Sequence, residues 1–382
     1  MAAITSQSVL KDSDLVIVKV GSVLVRDKHS DNINQLWVNS LAEDIHELMK
    51  RGKKVVVVSS GSVALGRKAL NILSETPPDN IPLAQKQAAS SVGQYHIFNG
   101  YFKALENHNI TAAQVLLTMS ETENRRMNLN ARETLYTLLD HGIVPIINEN
   151  DTVSTGEIRF GDNDRLSVRV GQMICSDAVV LLSTADGLYT DNPDKNPLAE
   201  HISLIEEITD DHIKMAGDAV PGLSTGGMKS KIEAALSATK SGVNLIITDG
   251  QENHSLINIF DNPDKKSSLF IAQKCDNNAR KIWLGAHMSP KGSVTIDDGA
   301  LIALNNGGSL LPVGVSFVDG DFSRGDVIRI LNSSGHKIGM GVSAYSSYDA
   351  HKIMGCNSKD IQKILGYTGR PDLIHRNDMV LE

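Results

Sequence analysis

A chain of 382 residues with 41% apolar and 21% charged residues has the make-up of a globular protein of two or three domains, and no apolar run approaches the roughly 18 residues of a membrane span. Its formal net charge of −8 argues against tight nonspecific attachment to nucleic acid or to an anionic membrane, since both rest on basic surface. Three widely spaced cysteines, Cys175, Cys275 and Cys356, argue against a disulfide framework or a clustered zinc site. The first thirteen residues show neither an apolar signal core nor an Arg-rich amphipathic pattern, so a cytoplasmic location is expected.

Taken in order, residues 15–20 form an apolar, β-branched run that ends in Lys19 and feeds the turn Gly21-Ser22, the pattern of a buried parallel strand. Apolar residues at helical spacing over 33–48 predict a helix stopped by Gly52. A second valine-rich strand over 54–59 ends in Ser60-Gly61, which completes a right-handed βαβ unit. The alternation continues with helical pattern over 83–105, a strand over 112–118, a helix over 128–139 and a strand over 144–147. That last strand delivers Asn148, Asn150 and Asp151 at its carboxyl end, and Gly161 opens a second polar cluster of Asp162, Asn163 and Asp164. A helix over 164–174, a buried strand over 178–183 and a loop from Asp186 to Pro193 follow. Helical pattern over 210–216 leads to the glycine-rich turn Thr225-Gly226-Gly227-Met228, which opens a helix over 229–240, and a strand over 244–248 ends this texture. Strands alternating with helices in this way predict an α/β fold, an open, mostly parallel sheet sandwiched by helices.

The pattern weakens into a polar stretch after Asp261, and beyond Lys291 short strands over 293–296, 314–318, 326–331 and 337–342 are separated by Gly and Asp turns, with a small helix over 349–354. The expected organisation is an α/β domain over 1–262, a linker over 263–290, a small β-rich barrel domain over 291–369 and a tail over 370–382.

Four polar turns follow strands that would run parallel, so Lys19, Ser60-Gly61, Asn148 with Asp151, and Asp162 to Asp164 could converge at one sheet edge, where ligands of such folds bind. Asn/Asp-rich turns also form for local reasons. A lysine at the end of a buried strand is costly without a partner, and Gly226-Gly227-Met228-Lys229-Ser230-Lys231 at a helix N-terminus suits a phosphate, although it lacks Walker spacing. Phosphoryl transfer needs cations on the moving oxygens and fixed donors that align the nucleophile, and two lysines, a glycine loop and an acidic residue supply these. No Ser/His/Asp triad, Cys-His pair or metal-ligand spacing competes, and His96, His141 and His287 read as surface or satisfied residues.

The set Lys19-Val-Gly21-Ser22, Ser59-Ser60-Gly61, Asn148-Glu-Asn-Asp151, Gly161-Asp-Asn-Asp164, Gly187-Leu-Tyr-Thr190 and Gly226-Gly-Met-Lys-Ser-Lys231 resembles the amino-acid kinase family. The C-terminal module, with Leu310-Leu-Pro-Val-Gly314 and Phe322-Ser-Arg-Gly325, resembles a PUA domain. The resemblance implies phosphorylation of the γ-carboxylate of L-glutamate by Mg-ATP, the first step towards proline. It implies catalytic roles for Lys19, Lys231 and Asp164, and acceptor binding by Ser60, Gly61, Asn148, Asp151, Asp162 and Asn163. Nucleotide binding would fall to Lys19, Gly21, Ser22, Ser183, Thr184, Thr225, Gly226, Gly227, Met228, Lys229, Ser230 and Lys231. ATP with Mg2+ carried on it is the expected cofactor, and no protein-held metal is expected. Proline as feedback inhibitor, γ-glutamyl phosphate reductase as partner and a homodimer or homotetramer are further implications.

The chain departs from the family pattern at Val23, Arg159, Thr184 and Ala344, the first three bearing on phosphate, charge and nucleotide contacts. Two other readings stay open, another family member acting on an acylated or shorter amino acid, and an RNA-binding regulator built on the C-terminal module. That module, residues 291–368, balances seven Lys/Arg against seven Asp/Glu, which gives RNA binding little support.

Overall fold

Runs of four valine, isoleucine or leucine residues, 15–18, 55–58 and 179–182, are too short for helices yet wholly buried, and they form the cores of the central strands of a sheet covered on both faces. A computed structural model describes residues 4–27, 32–73, 76–77, 80–154, 162–193, 195–215, 227–273 and 290–381, and it divides into units Met1–Lys274 and Cys275–Glu382.

In the first unit the strands β1 (Leu15–Val20), β2 (Lys54–Ser59), β3 (Ala112–Leu117), β4 (Val144–Glu149) and β5 (Ala178–Ser183) are followed by a short hairpin of β6 (Leu188–Tyr189) and β7 (His201–Ile202). Then come β8 (Leu204–Ile205), β9 (Asn244–Asp249) and β10 (Ser267–Phe270), and the main sheet is eight-stranded in the order β3-β4-β2-β1-β5-β9-β10-β8. All its pairings are parallel except β9 with β10. The chain runs from β1 to β2 on one side and later crosses from β4 back to β5 on the other side of β1. That reversal opens a crevice beyond the carboxyl ends of β1 and β5, the usual ligand position in such sheets.

The helices are α1 (Ser6–Asp12), α2 (Ser22–Val25), α3 (Gln35–Lys50), α4 (Ser62–Gly66), α5 (Leu83–Glu106), α6 (Met119–Glu123), α7 (Arg125–Asp140), α8 (Asp162–Met173), α9 (Asp210–Met215), α10 (Met228–Lys240) and α11 (Ser255–Asp261). Because strand side chains alternate between faces, Val16, Val18 and Val20 of β1 join a core with Trp37, Leu41 and Ile45 of α3 and Ile97 of α5. Leu15 and Ile17 join the opposite core with Leu166 and Val170 of α8 and Ile232 and Ala235 of α10. Lys19 has the parity of Leu15 and Ile17, so its side chain emerges on the α8/α10 face.

Strand β10 lies inside the 263–290 stretch that reads as a linker, and its burial rests on partners distant in sequence. Ser267 and Ser268 replace apolar residues there, and their hydroxyls are satisfied by Ser6 Oγ at 2.8 Å and the Ile202 carbonyl at 2.5 Å. The loop expected from Asp186 to Pro193 contains β6, whose two residues give no period to detect.

The second unit holds a five-stranded sheet in the order β12-β11-β13-β14-β15, formed by β11 (Gly292–Ile296), β12 (Val315–Gly320), β13 (Val327–Leu331), β14 (Lys337–Val342) and β15 (Met379–Leu381). Four of these correspond to the expected strands, and a helix over Ser347–Ile353 stands close to the expected 349–354. β15 arises from the segment expected to be a tail and pairs antiparallel with β14, and a helix over Asp298–Asn305 joins the core through Leu304. No helix among the described residues is long and apolar enough to cross a membrane.

Candidate active site

Asp164 is the centre of the polar cluster. It lies in the first turn of α8 with no solvent exposure, Lys19 Nζ stands 2.5 Å from its Oδ1, and Lys231 Nζ 3.2 Å from its Oδ2. Ser230 Oγ donates to the same Oδ2 at 3.3 Å, and Ser167 Oγ donates to the Asp164 carbonyl at 2.7 Å. The two lysines retain only 8% and 7% of their exposure, so three formal charges with a net value of +1 share one nearly dry spot. Ion groups this buried bring little net stability by themselves, and a surplus positive charge there is well matched only to an anion. Burial pushes the Asp164 carboxyl up, but the facing Lys19 and Lys231 ammonium groups outweigh it and hold it below the usual carboxylate range. For Lys231 burial wins, with Lys19 adding repulsion, so its ammonium is held below the ordinary lysine value despite the attraction of Asp164.

Each member reaches this point for a local reason. Lys19 follows the strand parity set out above, and Lys231 occupies the first turn of α10 beside the buried Ile232. Gly227 is the N-cap of α10 and offers no side-chain cap, which leaves the helix N-terminal N–H groups suited to an anion. Met228, Lys229 and Ser230 complete that turn, whereas Thr225, Gly226 and Arg159 lie outside the described residues. Gly21 and Ser22 start α2 directly after β1, and the Gly21 N–H donates to the Leu182 carbonyl at 3.3 Å, joining that turn to the end of β5. Val23, in the same turn, is half exposed. Ser183 ends β5, its Oγ accepting from the Ala185 N–H at 3.3 Å, and the Thr184 carbonyl accepts from Gln251 Nε2 at 3.4 Å.

On the other face of the sheet a second cluster forms. Asn148 is buried at the end of β4, and its Nδ2 donates to Gln94 Oε1 of α5 at 3.1 Å. Asp151, also buried, accepts at Oδ2 from Ser90 Oγ at 2.6 Å and from Ser62 Oγ at 3.1 Å. Ser60 and Gly61 lie just after β2, where the Ser60 N–H donates to the Val20 carbonyl at 3.2 Å. Gly61 takes φ +109°, a conformation that side chains disfavour, and caps α4 close to Ser22. Back on the α8/α10 face, Asp162 heads α8, and Asn163 beside it has a buried Oδ1 that meets no hydrogen-bond partner among the described residues. A buried amide oxygen left unpaired is costly unless a ligand completes it.

The structure therefore joins Lys19, Asp164, Ser230 and Lys231 in one cluster and holds Asn148 and Asp151 in another, both at the carboxyl edge of the sheet. Sequence reasoning missed Ser62, Ser90 and Gln94. Ser90 and Gln94 stand four apart on α5, a spacing that signals a shared face but not what that face meets. Among the described residues no group of three or more His, Cys, Asp or Glu side chains could hold a metal.

The architecture and the cluster define a class. The Amino acid kinase family model matches residues 14–249 and the PUA domain model residues 292–365, and the chain belongs to the amino acid kinase family. The glutamate 5-kinase of Gluconobacter oxydans (strain 621H) is 45% identical over 382 residues, 100% of both chains, and that of Ruegeria sp. (strain TM1040) is 47% identical over 366 residues, 96% of this chain and 98% of the relative. Among solved structures, the carbamate kinase of Giardia lamblia bound to AMP-PNP is similar at 17% identity and a TM-score of 0.47, covering 69% of this chain and 100% of that one.

Proposed function

We propose that the chain transfers the γ-phosphoryl group of Mg-ATP to the γ-carboxylate of L-glutamate, giving γ-glutamyl phosphate and ADP, the first step of proline biosynthesis. The observation that carries this reading is the buried Lys19–Asp164–Lys231 cluster beside the N-terminus of α10, supported by the full-length similarity to glutamate 5-kinases. A carboxylate oxygen of the acceptor attacks the γ-phosphorus, and the bond to the bridging oxygen breaks with its electron pair leaving on ADP. The acceptor is ionised near neutral pH, so no general base is required. This accounts for an acidic residue committed to two lysines instead of facing the acceptor. Lys19 and Lys231 neutralise the oxygens of the moving phosphoryl group, and Asp164 holds both ammonium groups in place.

In this reading Gly21, Ser22 and the 225–231 turn cradle the nucleotide phosphates, and Ser183-Thr184 flanks the nucleotide. Mg2+ enters with ATP as part of the substrate. Asn148, Asp151 and Asn163, with Ser60, Gly61 and Asp162, receive the amino acid, and the buried Asn163 Oδ1 is matched to a donor such as its ammonium group. Restraint by proline, transfer of the labile acyl phosphate to γ-glutamyl phosphate reductase, and a homodimer or homotetramer extend this proposal.

Hydroxylamine converts an acyl phosphate to a coloured hydroxamate, so ATP turnover in its presence with L-glutamate, N-acetylglutamate and L-aspartate tests the reaction. Hydroxamate formed with L-glutamate is the expected result. Formation with another acid moves the substrate, and none with any acid from protein that still binds ATP overturns the kinase chemistry. A pH profile tests Lys231 separately. Its lowered pKa in the free chain means that kcat/KM falls on the alkaline side below the ordinary lysine value of 10.5, as the ammonium is lost. Lys231→Arg should keep the charge and shift that limb to higher pH, whatever its effect on rate at neutral pH.

A further inference from the structure

Helix α5 reads the end of β4 and the segment after it in reverse order. Gln87 Nε2 donates to the Ser154 carbonyl at 3.1 Å, Ser90 Oγ to Asp151 Oδ2 at 2.6 Å, and Gln94 Nε2 to the Glu149 carbonyl at 3.0 Å. Gln94 also accepts from Asn148 Nδ2 at 3.1 Å through Oε1. Steps of three and four along the helix keep these side chains on one face. Ser62, in the first turn of α4, gives Asp151 Oδ2 its second hydroxyl donor at 3.1 Å.

This convergence requires α4 and α5 to touch backbone to backbone. A Cβ on Gly66 would stand 1.8 Å from the Ala89 carbonyl oxygen, and one on Gly93 would stand 1.8 Å from that of Ser62. Ser90 has no exposure and Ser62 has 4%, so water does not substitute freely for either hydroxyl.

We propose that Ser62, Ser90 and Gln94 are positioning residues that set the affinity and selectivity for the unreacting ammonium end of the acceptor, acting through Asp151 and Asn148. This rests on the reading that Asp151 receives that ammonium group. Each serine hydroxyl has one proton, and both are spent on Oδ2, which fixes the carboxylate plane without any contact from the serines to substrate. The two serines lie on different helices, so the carboxylate direction depends on how α4 and α5 meet. The phosphoryl-handling lysines lie on the opposite face of the sheet and are untouched by these contacts.

The test is steady-state kinetics on the full chain with Ser62→Ala and Ser90→Ala together, alone and in an Asp151→Asn background. In the otherwise native chain the L-glutamate KM rises about tenfold, as lost hydrogen bonds to a charged group predict, while kcat and the ATP KM stay within about twofold. The preference for L-glutamate over N-acetylglutamate falls in parallel. In the Asp151→Asn background the serine changes add nothing. If Asp151→Asn itself leaves the L-glutamate KM unchanged, the reading of that residue as the ammonium receiver fails. If Asp151→Asn raises KM and the serine changes do not, that reading stands and the positioning inference fails. Equal effects of the serine changes in both backgrounds also overturn the inference, because the serines would then act through the fold. Should the double variant not fold, Ser62→Ala alone, which removes the longer of the two bonds, should raise the L-glutamate KM about threefold with an unchanged ATP KM. An unchanged L-glutamate KM there likewise overturns it.

Discussion

Asp164→Asn lowers kcat by about 10²- to 10³-fold, on the scale of removing one electrostatic element of a transition state, while the L-glutamate KM changes by less than about threefold. The reason is geometric. One carboxylate holds two ammonium groups at 2.5 and 3.2 Å, and its amide has neither the charge nor the two acceptor oxygens to do so. Without that charge the lysines repel each other in a nearly dry site, and Lys231 loses the attraction that opposes its burial. The alkaline limb of the pH profile therefore moves to lower pH in the variant. Folding suffers as well, by about 3–5 kcal/mol, the usual cost of breaking a buried ion group from one side.

The sign of the pH dependence separates this from a packing defect. Asp164 titrates below its ordinary value of 3.8 in the folded chain, so its contribution to stability is fully present above that value and is lost as pH falls through the lowered pKa. Urea unfolding at neutral pH and near pH 3 should show the gap between native and variant narrowing in acid. A variant with native kcat and a raised KM would remove Asp164 from the transition state and return it to a binding role.

Gly93→Ala is the second large effect, with an expected loss of about 3 kcal/mol of stability and a rise in L-glutamate KM in whatever protein remains folded. The new methyl group would stand 1.8 Å from the Ser62 carbonyl oxygen and 2.6 Å from its carbon, so backbone must move. Moving α5 away from α4 pulls Ser90 and Gln94 off Asp151 and Asn148 together. Ser91→Ala, on an exposed turn of the same helix, is the control and should shift stability by less than about 0.5 kcal/mol. Chemical denaturation with parallel kinetics at varied L-glutamate decides the matter. Native stability in Gly93→Ala would mean that the two helices have slack at this contact.

Much of the fold was legible because its causes are local. β-branched runs ending in Gly/Ser turns mark the central strands, and apolar residues at helical spacing mark α3 and α10 with ends within a residue or two. Segments whose causes are not local were missed. β10 carries two serines that are stable in a sheet only because Ser6 and the Ile202 carbonyl accept their protons across long sequence distances. β15 exists because the free edge of β14 takes three residues from the end of the chain.

The site divides in the same way. By itself the sequence determined the chemistry on offer, with Lys19 ending a buried strand, Asp164 opening a helix and Lys231 in the first turn after glycines, because charge, burial and helix position follow from neighbours in the chain. Only the tertiary structure decided that β1 parity turns Lys19 towards α8 and α10, and that the crossover from β4 to β5 brings Asp164 between two lysines 145 and 67 residues away from it in sequence. It also decided that Ser62 and Ser90 meet on one oxygen of Asp151, since that depends on two helices touching where each has a glycine, and hydrogen bonds of this reach leave no trace in local pattern.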